Sequence, residues 1–350
     1  MFTLKKKDLV GIDIGSSSIK LVQLKESKEG YQLLKIGLVP LPAEAIVDNT
    51  LMDTSAVVEA IRHLIRTLDI KTTRAACSIS GNSVIIRKIG FPVMPADELE
   101  EQIHWEAEQY IPFDINDVNI DFHILGPDEF DPAKMNVLLV ASKKDIIADY
   151  AAIFNEAGIA LTVLDVDCFA LQNAFEINYE PSFDEVIALA NIGSNITNLN
   201  IIRGGVSLFT RDVQIGGNLF TEEIQKKLAI KGDEAEKLKM SAIDSGDETV
   251  RSIIRQVNEM LAMELYRSVD FFNANAGEEK ITKMYVSGGC CKTSFLLEAI
   301  QKRLIVPVEI INPFQKILCP NSQFVPEYLK DVGPHVTVAV GLAMRRYADK

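Results

Sequence analysis

The sequence predicts an α/β protein of two similar domains, the first interrupted by a small α+β subdomain. Three observations lead there. A strand–turn–strand pattern near the N-terminus returns 178 residues later around a similar loop. The elements around each loop recur in one order, three strands, a helix, then a strand. Between the copies lies a stretch, about residues 90–165, without a counterpart in the second half. At 350 residues and 47% hydrophobic content, the chain has the length and apolar surface for two cores.

In the first copy "LVGIDIG", "SSIKLVQLK" and "YQLLKIGLVPL" read as strands, the last entered after Gly30. A helix is expected over about Ser55–Leu68, where Val57, Ile61, Leu64, Ile65 and Leu68 share a face, and a strand at "RAACSIS". The interrupting module opens with "GFPVMPADELEEQIHWEAEQYIPFD". Its Leu99, Ile103, Ala107 and Tyr110 line one helical face, with Pro95 and Asp97 at the start and Pro112 as the stop. Strands "VNIDFHIL" and "MNVLLVAS" then flank the turn-rich "GPDEFDPAK", before a helix near Lys144–Ala157.

The second copy begins at "EVIALANIG", "SNITNLNIIRGG" and "VSLFTRDVQIGG". Thr221–Asn275 reads as mainly helical, with Ile254, Val257, Leu261 and Leu265 as a buried stripe and the polar "SAIDSGDET" linking two helices. A strand at Met284–Val286 runs into Ser287-Gly288-Gly289, and a helix begins near Thr293. The expected layout is domain I over 1–89, the insertion over 90–165, a return to domain I over 166–186, and domain II over 187–335. Residues 219–279 form a helical subdomain of domain II, and a C-terminal helix over 336–350 packs back on domain I.

Acidic residues outnumber basic ones, 49 to 36, for a net charge of −13, which opposes a nucleic-acid footprint. Lys5–Lys7 is too short a basic run to hold a membrane and reads as a solvated N-terminus. Asp8 and Asp13 break the first apolar run, so no secretory signal is expected, and no later run reaches the roughly 18 apolar residues of a span. Cys77, Cys168, Cys290, Cys291 and Cys319 show no C-x-x-C spacing, and His63, His104, His123 and His335 form no local cluster. A reduced, cytoplasmic, soluble protein without a disulfide framework or structural zinc is expected.

The chemistry-bearing stretch is "GIDIGSSSIK", Gly11–Lys20. A Gly/Ser hairpin lets backbone N–H groups approach an oxyanion, Ser16, Ser17 and Ser18 add hydroxyls, and Lys20 adds positive charge. Asp13 at its mouth repels a bare phosphate. Aligned on the repeat, "DIGSSSIKL" falls on "NIGSNITNL", so Gly15 matches Gly193 and Asp13 matches Asn191. Alone, either loop reads equally well as a plain strand-joining turn. Opposed, they can clamp phosphates from two sides, and Asp13 then serves a Mg²⁺ ion directly or through waters. Neither loop has the P-loop or dinucleotide pattern. In "MYVSGGCCKTSFLLEAI" the glycines leave room for a flat ligand, or else form a ligand-free strand–turn–helix link. Cys290 and Cys291 read as packed thiols.

These pieces in this order resemble the actin/Hsp70/sugar-kinase superfamily, which implies an actin-like (ribonuclease H-like) duplicated fold. "GGNLFTEEIQKKLAI" and "AEKLK" resemble the nucleoside-contacting stretch of bacterial actin homologues. The inserted module, with "KKKDLVGIDIGSSSIKLVQL" and "LDVDCFALQNAFE", resembles the PilM family, actin-like cytoplasmic components of type IV pilus machines serving twitching motility. The resemblance implies ATP or ADP with Mg²⁺. Asp13, Gly15, Ser16, Ser17 and Lys20 would face phosphates and metal, opposed by Asn191, Gly193, Ser194, Asn195 and Thr197. Gly216, Gly217, Glu236, Lys239, Gly288 and Gly289 would line the nucleoside side, and Asp167 would stand near the attacking water.

In the superfamily this chain resembles, active members usually have Asp at the position of Asn191. An amide cannot act as a base, so slow or absent hydrolysis is expected, with nucleotide as a structural or switch ligand. The resemblance also implies a partner, the N-terminal cytoplasmic tail of a PilN-type inner-membrane protein, bound within or beside the inserted module. Trp105, Tyr110, Ile111, Pro112 and Phe113 are its apolar candidates, or else pack the module's own core. Other pilus platform or motor components are implied, with membrane contact only through the partner, peripheral to the inner membrane. The rival readings are an FtsA-like membrane-associated filament protein, and a small-molecule kinase using Asp165 or Asp167 as base.

Overall fold

The computed structural model describes residues 9–346 except 48, 129–130, 242–246 and 278. Lys5–Lys7, parts of "GPDEFDPAK" and "SAIDSGDET", and the last four residues of the expected C-terminal helix lie outside the described residues.

β1 (Val10–Ile14), buried along nearly its whole length, β2 (Ser18–Ser27) and β3 (Gly30–Pro40) pair as an antiparallel meander. A small ribbon of β4 (Ile46–Val47) and β5 (Thr50–Leu51) leads to α1 (Thr54–Thr67). Asp53 caps that helix, its carboxylate accepting the Ala56 N–H at 3.0 Å. β6 (Arg74–Ile79) then pairs parallel to β1.

The inserted module is a three-stranded antiparallel sheet of β7 (Val84–Pro92), β8 (Val118–Pro127) and β9 (Lys134–Lys143), with β9 central and α2 (Ala96–Ala107) on one face. Leu99, Ile103 and Ala107 of α2 pack on Val137 and Leu139, so the module has its own core. Its limits differ from the expected 90–165. The sheet starts at Val84, and the chain leaves it at Lys143. α3 (Lys144–Glu156) sends Ile153 and Phe154 into the first domain's core beside Val10, Val57 and Ile61. β10 (Ala160–Val166) pairs parallel to β6, completing the first sheet in the order β10-β6-β1-β2-β3. Pairing across some 85 residues of chain decides where β10 belongs, which local pattern does not reveal. α4 (Asp167–Tyr179) follows at once.

The second copy repeats the plan. β11 (Ile187–Ile192), β12 (Thr197–Arg203) and β13 (Val206–Val213) form a meander, then come α5 (Gly217–Leu228), α6 (Gly232–Met240) and α7 (Glu248–Asn275). β14 (Lys283–Ser287), α8 (Leu296–Leu304) and β15 (Val308–Ile310) close a sheet of order β13-β12-β11-β14-β15. The two sheets therefore match strand for strand, the hairpin in the middle of each. α9 (Pro326–Val332) and the short α10 (Thr337–Ala343) return to the first domain, where Ala339, Val340 and Ala343 meet Val22 and Leu33. Gly11 of β1 and Gly341 of α10 permit this approach. A Cβ on either would collide with a backbone carbonyl, that of Ala339 or of Ala170.

Candidate functional site

Both hairpins close in the same way. Gly15 N–H donates to the Ser18 carbonyl at 3.1 Å, and Gly193 N–H to the Ile196 carbonyl at 3.0 Å. The loop tips face each other across the cleft, and Ser16 Oγ lies 2.6 Å from Ser194 Oγ. These serines are equivalent in the repeat, so the two halves meet at matching positions.

On the first hairpin Asp13 and Lys20 are register partners in β1 and β2, and their side chains form an ion pair at 3.2 Å, both largely shielded. Gly15 makes room for it, since a Cβ there would lie 2.6 Å from the Lys20 ammonium. Ser17 is exposed at the tip. On the second hairpin Asn191 pairs with Asn198 in the same register. Asn191 Nδ2 donates to Asn198 Oδ1 at 3.4 Å, and Ser287 Oγ donates to Asn191 Oδ1 at 3.3 Å. Thr197, expected at the phosphates, is fully buried, its hydroxyl donating to the Ile215 carbonyl at 2.7 Å. As the residue that begins β12 it points into the sheet's packed side, a consequence of the strand's two-residue period.

The remaining candidates gather around α5. Gly217 and Asn218 N–H donate to the Gly193 and Ser194 carbonyls at 2.9 and 2.7 Å, so the helix start is fastened to the second hairpin. A Cβ on Gly216 would lie 2.6 Å from both carbonyls. Asn218 also donates to the Asn195 side chain. Lys239 of α6 pairs with Glu236 at 2.6 Å and donates to the Thr221 hydroxyl at 3.1 Å and the Gly217 carbonyl at 3.3 Å. Gly288 takes φ +87 and donates its N–H to the Pro334 carbonyl at 2.8 Å, while Gly289 lies against His335. Cys290 and Cys291 are buried, and burial raises both thiols, Cys291 to about 12.

Asp167 opens α4 beneath the first hairpin and accepts the Ser78 hydroxyl at 2.5 Å. Burial, then the Asp13 charge, pushes it up to about 6, opposed by hydrogen bonds from Ser78 and Ser80 and reinforced by Asp212. Asp165 points elsewhere. Its carboxylate lies 3.1 Å from Arg345 Nε in a buried setting that raises it, so it is not poised over an acceptor hydroxyl as a kinase base would be.

Sequence reading missed Asp212 and His335. Asp212 on β13 is the register partner of Asn198, accepts its amide at 2.7 Å, and accepts the Gly81 N–H at 2.5 Å from the other half. Burial raises it, against those two bonds. The second half thus keeps an acid, two strands from the position of Asp13. The signal was the strand register, with Lys20 and Asn198 equivalent in the repeat. His335 is lowered by burial, then by Lys20 and Lys292, and Asp331 opposes.

The family model for the type IV pilus assembly protein PilM matches residues 11–347. The chain belongs to that family. A solved PilM–PilN type IV pilus biogenesis complex contains a chain 29% identical to this one, with a TM-score of 0.88 over 98% of this chain and 99% of that one. MreB5 of Spiroplasma citri bound to ADP superposes with a TM-score of 0.53 at 12% identity, covering 96% of this chain and 94% of that one. The ethanolamine utilization protein EutJ of Carboxydothermus hydrogenoformans gives 0.58 at 16% identity, over 96% and 89%. The cell division protein FtsA of Bacillus subtilis (strain 168) is 24% identical over 253 residues, 66% of this chain. That match spans 57% of FtsA's length. The fold is actin-like.

Among the described residues no group of three or more His, Cys, Asp or Glu gathers as a protein-made metal cage. The donors fit Mg²⁺ in another form. The ion keeps waters and takes one or two carboxylates beside substrate phosphates, and Asp13 at the hairpin mouth offers one such carboxylate. No helix among the described residues is long and apolar enough to cross a membrane.

Proposed function

We propose that this chain is a nucleotide-binding scaffold of the type IV pilus platform, holding ATP or ADP with Mg²⁺ between its two hairpins. The observation that carries the reading is the meeting of equivalent hairpin tips, Ser16 against Ser194, in a PilM-family chain. MreB5 of the same fold has been seen with ADP and with AMPPNP. Asp13 and Lys20 serve the metal and phosphate side, and Gly216, Gly217, Glu236, Lys239, Gly288 and Gly289 the nucleoside side. Bound Mg²⁺ supplies neutralisation of phosphate charge.

Turnover is slow or absent in this reading. Asn191 is a neutral amide already bonded to Asn198 and Ser287, and both hydroxyl partners of Asp167 hold its carboxylate in place. Nucleotide then acts as a switch or structural ligand.

The partner is the N-terminal tail of a PilN-type membrane protein, which would bring the chain to the inner membrane from the cytoplasmic side. The solved complex of a PilM with PilN supports that choice. We place the tail in a groove of about 540 Å³ between α2 and the start of β8, walled by Glu101, His104, Trp105, Glu108 and Lys144. Trp105 is 77% exposed, an aromatic anchor without a partner in the module's core, whereas Ile111 is buried within that core. Glu101 and Glu108 beside an exposed indole suit a short peptide with both basic and apolar residues, with Lys144 in the wall open to an acidic one.

Trp105 is the chain's one tryptophan, so its fluorescence reports the groove directly. Titration with a PilN-type tail peptide should quench or shift that emission saturably. Charge reversal at Glu101 and Glu108 should weaken binding about tenfold or more. Unchanged emission together with no binding by calorimetry would remove the partner assignment.

A further inference from the structure

A row of polar side chains crosses the second sheet at one level. Ser287 on β14, Asn191 on β11, Asn198 on β12 and Asp212 on β13 are register partners in succession. Their hydrogen bonds form one directed chain. Ser287 donates to Asn191 at 3.3 Å, Asn191 to Asn198 at 3.4 Å, and Asn198 to Asp212 at 2.7 Å. Asp212 ends it by accepting the Gly81 N–H across the cleft at 2.5 Å. One end of the row adjoins Gly288, the other touches the first half.

Gly81 stands at the root of the inserted module. It takes φ +66 in the turn Gly81–Ser83, immediately before β7, and a Cβ there would press on Asn49 and lie 3.0 Å from Ile196 at the second hairpin. The same turn is bonded to the module's central strand, as Ser142 Oγ donates to the Ser83 carbonyl at 2.8 Å. Through Gly81 and Ser83 this turn therefore touches the second sheet, the second hairpin and the inserted sheet.

We infer that Asp212 is a positioning residue that wires the Gly288 loop and second hairpin to the root of the inserted module. The wiring also gives a reason for asparagine at 191. A side chain there must accept from Ser287 and donate to Asn198, which an amide does and a carboxylate does not. Only the identity of the ligand that moves the hairpins rests on the nucleotide reading above.

The test is amide hydrogen exchange by mass spectrometry on the full chain, first without nucleotide. Asp212→Ala, and independently Asn198→Ala, whose side-chain bonds run to Asn191 and Asp212 within the second sheet, should both speed exchange across residues 81–92 and 134–142 about fivefold. Asp212→Asn offers one acceptor oxygen where the carboxylate offers two, for Asn198 and for Gly81, and should restore the protection only in part. Exchange at 81–92 staying at the wild-type rate in Asn198→Ala, with β12 and β13 disturbed, would overturn the inference. In a second arm MgADP is added. Protection at 81–92 should change in the wild type and not in Asp212→Ala, while fluorescent mant-ADP binds both within about threefold. Equal changes in both proteins would contradict the wiring. Failure of mant-ADP to bind the wild type removes the nucleotide reading, and the nucleotide-free arm still decides the wiring.

Discussion

In the first hairpin Asp13 and Lys20 face each other as an ion pair at 3.2 Å, while in the second Asn191 and Asn198 hold the same register positions as an amide pair at 3.4 Å. The third strand shows the reverse. Leu38 lies beside Lys20, and Asp212 lies beside Asn198. One backbone plan has thus been given two chemistries. The first hairpin keeps opposite charges at its mouth, suited to a cation and phosphates. The second carries a neutral relay whose acid has moved to the outer strand, where it grips a backbone N–H of the other half. Duplication supplies the symmetry of the cleft, and side-chain exchange divides the labour between binding and positioning.

The glycines at the two loop starts give the largest expected contrast. A Cβ on Gly193 would lie 2.9 Å from the Ile196 carbonyl, a backbone atom that cannot step aside. Gly193→Ala should cost about 3 kcal/mol in chemical denaturation. The corresponding clash at Gly15 is with the end of the flexible Lys20 side chain, so Gly15→Ala should cost about 1 kcal/mol and act on ligand binding through displaced Lys20. Similar stability losses in the two variants would break the comparison.

The charge asymmetry also appears in pH dependence. Asp167 has a folded pKa of about 6 against an ordinary 3.8, raised by burial and by Asp13. In that window the folded protein holds a proton that the unfolded chain has released. Its contribution is fully present below pH 3.8 and is lost as pH rises through 6. Asp167→Asn removes this loss, and should be more stable than the wild type above pH 7 by about 3 kcal/mol, with a flatter profile between pH 4 and 6. A variant with the wild-type slope would show that other groups set it.

The smallest effect belongs to the contact between the tips. Ser16→Ala and Ser194→Ala should each cost about 1 kcal/mol or less, with a coupling of about 0.5 kcal/mol in a double-mutant cycle. Full additivity would mean that the serines do not hold the tips together in solution.

Much of this arrangement was legible in the sequence. The repeat showed itself because "DIGSSSIKL" falls on "NIGSNITNL" within the same order of elements, and in the fold Gly15 and Gly193 occupy turns with the same closing bond. The limits of the inserted module were not legible, since β10 is assigned by its pairing to the distant β6. Asp212 was missed for a related reason. Its face depends on the register of β13, which shifts by a residue near Ile201, and a one-residue slip reverses which side a strand residue points to. Thr197 was misassigned by the same two-residue period, motif position suggesting the cleft where the strand directs it inward.

The most direct test is a fluorescence titration of mant-ATP with and without Mg²⁺ on the wild type, Asp13→Ala and Asn191→Ala. The account predicts saturable, Mg²⁺-dependent binding, weakened about a hundredfold in Asp13→Ala and within about threefold of the wild type in Asn191→Ala. Equal losses in the two variants, or no binding by a folded wild type, would contradict it.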